Sequence, residues 1–168
     1  MTPAPSAAVL CAFVTTLLAT AMPRAAAGVE QATQVRVESV EVLVTPVGPA
    51  VVLRVRDKAV PIFIDVTVAR SIQGALSSQK PPRPLTHDLM HAVIEGFGGK
   101  VTQVEVTLKD KIFYAALTVR TPQGARVFDS RSSDAIALAI HFKAPILVSE
   151  ELVEAVGVEV QKPGETRS

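Results

Sequence analysis

Three stretches of the sequence hold residue types able to do chemistry. The densest is Asp129-Ser130-Arg131-Ser132-Ser133-Asp134, which puts two carboxylates, one guanidinium and three hydroxyls into six residues. It falls where a strand pattern ends and a helix pattern begins. A helix N-terminus favours anions, and the planar fork of Arg131 is a natural phosphate clamp. Asp129 and Asp134 offer hard oxygen ligands to a divalent cation such as Mg. The alternative is capping, with Ser133 as N-cap, Asp134 on the helix dipole and Arg131 paired with Asp129.

The second stretch, His87-Asp88-Leu89-Met90-His91, sets two histidines at i, i+4 on one helix face. Zinc proteases use this spacing, but with Glu where Asp88 stands, and the sequence offers no distinctive third ligand. The plainer alternative is an exposed first helical turn. The third stretch, Lys80-Pro81-Pro82-Arg83-Pro84, is basic and can touch phosphates or serve as a solvated loop. Other chemistries find no support. There is no Gly-rich phosphate loop, no nucleophile elbow and no Cys-His metal set.

The elements that must position these residues show in the periodicity. Val35, Val37, Val40, Val42 and Val44 read as a strand, followed by a turn at Pro46, Gly48 and Pro49. Residues 50–55 and 60–64 read as two further strands, and a helix is expected over about 66–76. Three prolines forbid regular structure in the connection over 77–84. Thr86 is the expected N-cap of a second helix, ended by Gly98 in the left-handed conformation. The plan then repeats. Strands are expected at 101–106, 113–119 and 126–129, a helix over 134–142, a short strand at 145–148 and a last helix over 150–156, capped by Ser149 and stopped by Gly157. Val40 and Val104, Val42 and Val106, Leu53 and Leu117, and Val55 and Val119 are all 64 residues apart, and Ala69 and Ala135 are 66 apart. These offsets predict an α+β fold of two strand-strand-strand-helix-helix units around a shared core.

Length and composition bound the rest. The chain has 168 residues, enough for one domain, and 48% of them are apolar, so a core can be buried. Seventeen basic residues against sixteen acidic ones give a net charge of +1, which argues against binding nucleic acid through bulk positive charge. The single Cys11 rules out an internal disulfide. Residues 1–27 contain no acid, an apolar run at 7–21 and the small-residue site Ala25-Ala26-Ala27. They read as a signal peptide, placing the mature protein in the periplasm or outside the cell, with no stable membrane insertion after cleavage. The domain is expected over 35–160, with a polar tail at 161–168.

The segments VPIFI (60–64), KPPRPLTHDLM (80–90) and SRSSDAIALAIHFKAPILVSEELVEAVG (130–157), in this order and spacing, resemble the bifunctional nuclease domain family. The likeness spans about 37–157. It implies an internally duplicated α+β fold, a nuclease that hydrolyses phosphodiester bonds of DNA and RNA, and a homo-oligomer. By this resemblance the family's Thr-His-Asp motif falls on Thr86, His87 and Asp88, and its Arg-Pro-Ser-Asp-Ala on Arg131, Ser132, Ser133, Asp134 and Ala135, with Ser132 in place of Pro. Where the family has Gly and, three residues on, Glu, this chain has Asp65 and Val68. Val68 is the repeat equivalent of Asp134, so one of two paired acids is absent. The expected chemistry has His87 and Asp88 in acid–base roles, Asp129 and Asp134 holding a metal or orienting water, and Arg131 stabilising charge on phosphate. The rival expectation is a non-catalytic binding or assembly module of the cell envelope, favoured by neutral charge, few aromatics for base stacking and the missing Glu.

Overall fold

The computed structural model describes residues 33–79 and 81–160. The expected leader, the polar tail and Lys80 lie outside the described residues. The chain runs β1 (Gln34–Arg36), β2 (Ser39–Thr45), β3 (Gly48–Val55), β4 (Lys58–Phe63), α1 (Val66–Ser77), α2 (Thr86–Gly96), β5 (Lys100–Lys109), β6 (Ile112–Thr121), β7 (Gly124–Arg131), α3 (Ser132–Phe142), β8 (Ile146–Ser149), α4 (Glu150–Val156) and β9 (Val158–Glu159). This is the expected mixed α+β class. No helix among the described residues is long and apolar enough to cross a membrane.

Two sheets form. One has the order β1-β8-β5-β6-β7, with β8 parallel to β5, and the other is the antiparallel β2-β3-β4-β9. The single strand expected over 35–44 is in fact two strands in different sheets. Between them the Val37 N–H bonds to Ile146 O at 2.9 Å and the Glu38 N–H to Arg54 O at 2.8 Å, so the chain crosses from one sheet to the other within two residues. Alternating valines satisfy either sheet, which is why the sequence does not reveal the crossing.

Two turns share one chemistry, Thr45-Pro46-Val47-Gly48 and Thr121-Pro122-Gln123-Gly124. In each, the Thr hydroxyl donates to the Gly carbonyl, at 2.6 and 3.2 Å, and accepts the N–H of the third residue. Gly48 and Gly124 have φ of 131° and 130°, open to glycine alone without strain.

One apolar core joins both sheets. It contains Leu53, Val60 and Ile72 from the first half and Val104, Ile136, Leu138 and Val148 from the second. α3 lies at its centre, and Ala135 to Ala139 are all buried. A helix apolar on every side must be enclosed, and α3 packs against α1, α2 and strands β5 and β6.

The caps differ in part from expectation. Asp65 caps α1 through its bond from the Val68 N–H at 2.9 Å, and Ser149 caps α4 through Leu152 N–H at 3.3 Å. Thr86 is not the cap of α2. Leu85 holds that position, and Asp88 accepts its N–H at 2.8 Å. Nor does Ser133 cap α3, because Arg131 ends β7 and opens the helix directly. Gly98, with φ of 68°, closes α2 as expected. Gly157 follows α4 as its C-cap, where only glycine fits because a Cβ would collide with the Val153 carbonyl.

Candidate active site

The β7–α3 junction aims Arg131 and Asp134 into one cavity. Arg131 has extended backbone at the N-cap and Asp134 is three residues on, in the first turn. That spacing brings guanidinium and carboxylate together. Arg131 Nε donates to Asp134 Oδ2 at 2.6 Å and its Nη2 donates to Oδ1 at 3.0 Å. Arg131 therefore pairs with Asp134, not with Asp129. Its fork has five N–H donors, so three remain for another anion.

His87 completes the chain of contacts from α2. Its Nε2 lies 3.2 Å from Asp134 Oδ1, and the imidazole is buried. Because an ionised carboxylate only accepts, the His87 nitrogen facing it, Nε2, carries a proton. Burial by itself would raise the pKa of Asp134. The hydrogen bonds from Arg131 and His87, with their charge, outweigh that and hold the carboxyl below its ordinary value of 3.8.

The cavity encloses about 780 Å³. Besides these three side chains its polar edge carries Asp65, Thr67, Thr86, Asp129 and Ser130, and its wall is apolar: Val68, Met90, Ile94, Leu117, Val119, Phe128 and Leu138. Val68 lines the same space.

Asp88 goes elsewhere. One of its oxygens caps α2, and the other lies 3.8 Å from His141 Nδ1. Asp88 and His141 line a second cleft of about 450 Å³, together with Ser71, whose Oγ is 3.1 Å from His141 Nε2. The His141 ring sits 6.4 Å from that of His87 and 6.0 Å from that of His91. Burial, and then the neighbouring imidazoles His87 and His91, push the His141 pKa below 6.5 against the opposing pull of Asp88. The structure thus unites His87, Arg131 and Asp134, places Asp129 on the rim of their cavity and separates Asp88 from them.

The donors do not assemble a cation site. Both Asp134 oxygens are engaged by Arg131 or His87, and among the described residues no group of three or more His, Cys, Asp or Glu is arranged to hold a metal ion. The i, i+4 pair His87 and His91 diverges: His87 bonds Asp134, and His91 faces Glu95 at 3.6 Å and Phe142 at 4.3 Å between ring centroids.

Sequence reasoning did not single out the apolar wall. Phe128 is one of only six phenylalanines and directly precedes Asp129, which was the available signal.

Comparison with known proteins points one way. The bifunctional nuclease domain family matches residues 51–161. An uncharacterized protein of Mycobacterium tuberculosis is 31% identical over 134 residues, 74% of this chain and 76% of its own length. Bifunctional nuclease 2 of Oryza sativa subsp. japonica is 28% identical over 68% of this chain, and bifunctional nuclease 1 of Arabidopsis thaliana is 28% identical over 69%. The matched region spans only 38% of each plant protein.

Proposed function

The chain belongs to the bifunctional nuclease domain family, and on that premise we propose that it hydrolyses phosphodiester bonds of DNA and RNA in the cavity between α2 and the β7–α3 junction. The observation that carries this reading is the continuous contact His87–Asp134–Arg131 along the polar edge of an open cavity. In this reading the three free N–H groups of Arg131 bind the non-bridging phosphate oxygens and stabilise the charge that grows on them. As water attacks phosphorus, His87 Nδ1 accepts its proton; the P–O bond to one sugar oxygen breaks and that oxygen takes the proton back from the imidazolium, which Asp134 orients and stabilises in between. Asp129 orients groups at the rim. Asp88 acts by positioning, through the start of α2. No step runs through a metal ion, because the donors do not fit one.

A second reading, a non-catalytic binding or assembly module, draws on two observations. The cavity lining holds three carboxylates against one guanidinium, and Val68 replaces an expected acid. The same proposal extends to the whole chain. Residues 1–27 act as an export leader, placing the mature protein in the periplasm or outside the cell. The apolar stripe formed by Leu89 and Val93 on α2 and Phe97 at its C-cap, all exposed, supports self-association.

An ancestral duplication is supported by register. Val40 faces Leu53 and, 64 residues on, Val104 faces Leu117. α1 and α3 both begin 66 residues apart, after the third strand of an antiparallel meander. Strand β8 has no counterpart between α1 and α2.

The experiment is degradation of plasmid DNA and of RNA by purified mature protein, with and without chelator. Cleavage that persists in chelator supports the reading; no cleavage of either substrate under any condition favours the binding module.

A further inference from the structure

The cavity suits something other than a bare phosphate. Among the described residues its only strong cation is Arg131, set among Asp65, Asp129 and Asp134. A groove that tracks a polynucleotide backbone uses several Lys or Arg, each neutralising a phosphate. Here charge cannot supply the affinity. The apolar wall can. Phe128 and Met90 are 46% and 40% exposed, from β7 and α2, and β7 is the edge strand of its sheet. Leu117, opposite Phe128 across the sheet, extends that wall. A flat, apolar, π-faced body next to a single phosphate is a nucleotide.

We propose that this cavity is a base pocket: it takes one unpaired nucleobase against Phe128 and Met90 while the attached phosphate reaches Arg131. The inference rests on the nuclease reading of the same cavity and narrows its substrate to unpaired nucleotides. A base inside a duplex is stacked on both faces and paired along its edge, so it cannot enter a cavity walled by a helix and a sheet without first leaving the stack. Stacking on an aromatic face is tolerant of base identity, so sequence preference is weak. With one phosphate neutralised, affinity depends little on salt, with a slope of log K against log salt of about −0.7 for a single strand.

The test uses 2-aminopurine oligonucleotides, RNA and DNA, each single-stranded and fully paired. They are titrated into the wild type, Phe128→Ala, Phe128→Leu and Arg131→Ala, with binding read by fluorescence and cleavage by KM and kcat. Phe128→Leu keeps apolar bulk without an aromatic face, so it separates stacking from folding, and melting curves confirm that each variant is native. The expected result is single-strand binding at least tenfold tighter than duplex binding, with the shallow salt slope. Both Phe128 variants weaken single-strand binding roughly tenfold, the range for one lost stacked base, and raise KM with it. Equal binding of single strand and duplex overturns the base pocket, as does unchanged affinity in both Phe128 variants, or a Phe128 change that dissociates an oligomer without weakening oligonucleotide binding. Arg131-dependent cleavage that ignores pairing and Phe128 would leave the nuclease reading standing and the base pocket refuted. Phe128-dependent single-strand binding without any cleavage would do the reverse.

Discussion

At Asp134 three hydrogen bonds converge on one carboxylate, two from Arg131 and one from His87, and each does a different job. Asp134→Asn keeps the shape but supplies an amide where an acceptor oxygen stood, so the His87 tautomer and the Arg131 orientation are both released. Capping alone predicts a loss of about 0.5–1 kcal/mol through the dipole and no specific loss of cleavage. The site account predicts a cleavage defect well beyond what that destabilisation explains, checked by measuring rate and melting temperature together. His141 allows a second prediction at this scale. Its folded pKa lies below the ordinary 6.5, so the fold favours the neutral ring. The unfolded chain then binds more protons, so this contribution is fully present above about pH 6.5 and is lost as pH falls below it. Melting temperatures at stepped pH should fall below 6.5 in the wild type, and His141→Gln should make that fall shallower.

Helices and strands were legible where periodicity and turn chemistry agreed. The last helix, Glu150 to Val156, has an acid-rich first turn behind a Ser cap and a Gly stop, and its limits match the expectation. The α2 and α3 starts differ from the expectation because Thr86 and Ser133 are good caps by type, while the chain enters these helices at Leu85 and Arg131 with no side-chain cap bond. Short hydroxyl residues cluster at helix starts, so residue type fixes the neighbourhood of a cap and not its position. Of the site, the polar edge was visible as a six-residue cluster. The meeting of His87 with Asp134, 47 residues later, depends on α2 packing against α3, which local sequence does not encode. The C-cap of α1 carries an element-scale prediction. Ser78 holds φ of 56° without being glycine. Ser78→Gly should raise stability by roughly 0.5–1 kcal/mol, read as a shifted denaturation midpoint, because relief of the left-handed penalty exceeds the added chain entropy.

For the whole molecule, the enclosed α3 ties the site to the core: the helix that presents Asp134 at its first turn is buried over the next five residues. Charges placed by such a helix are held by backbone and packing, which is what preorganised stabilisation of a transition state requires. The export proposal is tested at this scale by intact mass, which should show a mature chain beginning near Gly28 in the extracytoplasmic fraction; full-length protein confined to the cytoplasm would refute it. The central claim is that Arg131 stabilises phosphate charge in a cavity shared with His87 and Asp134. It is tested most directly by the single-turnover cleavage rate of one RNA oligonucleotide by wild type and Arg131→Ala, prepared identically and matched in melting temperature. The account predicts a fall on the order of 10²-fold for the variant, as for loss of one oxyanion donor. Equal rates for the two proteins would contradict it and return the Arg131–Asp134 pair to a structural role.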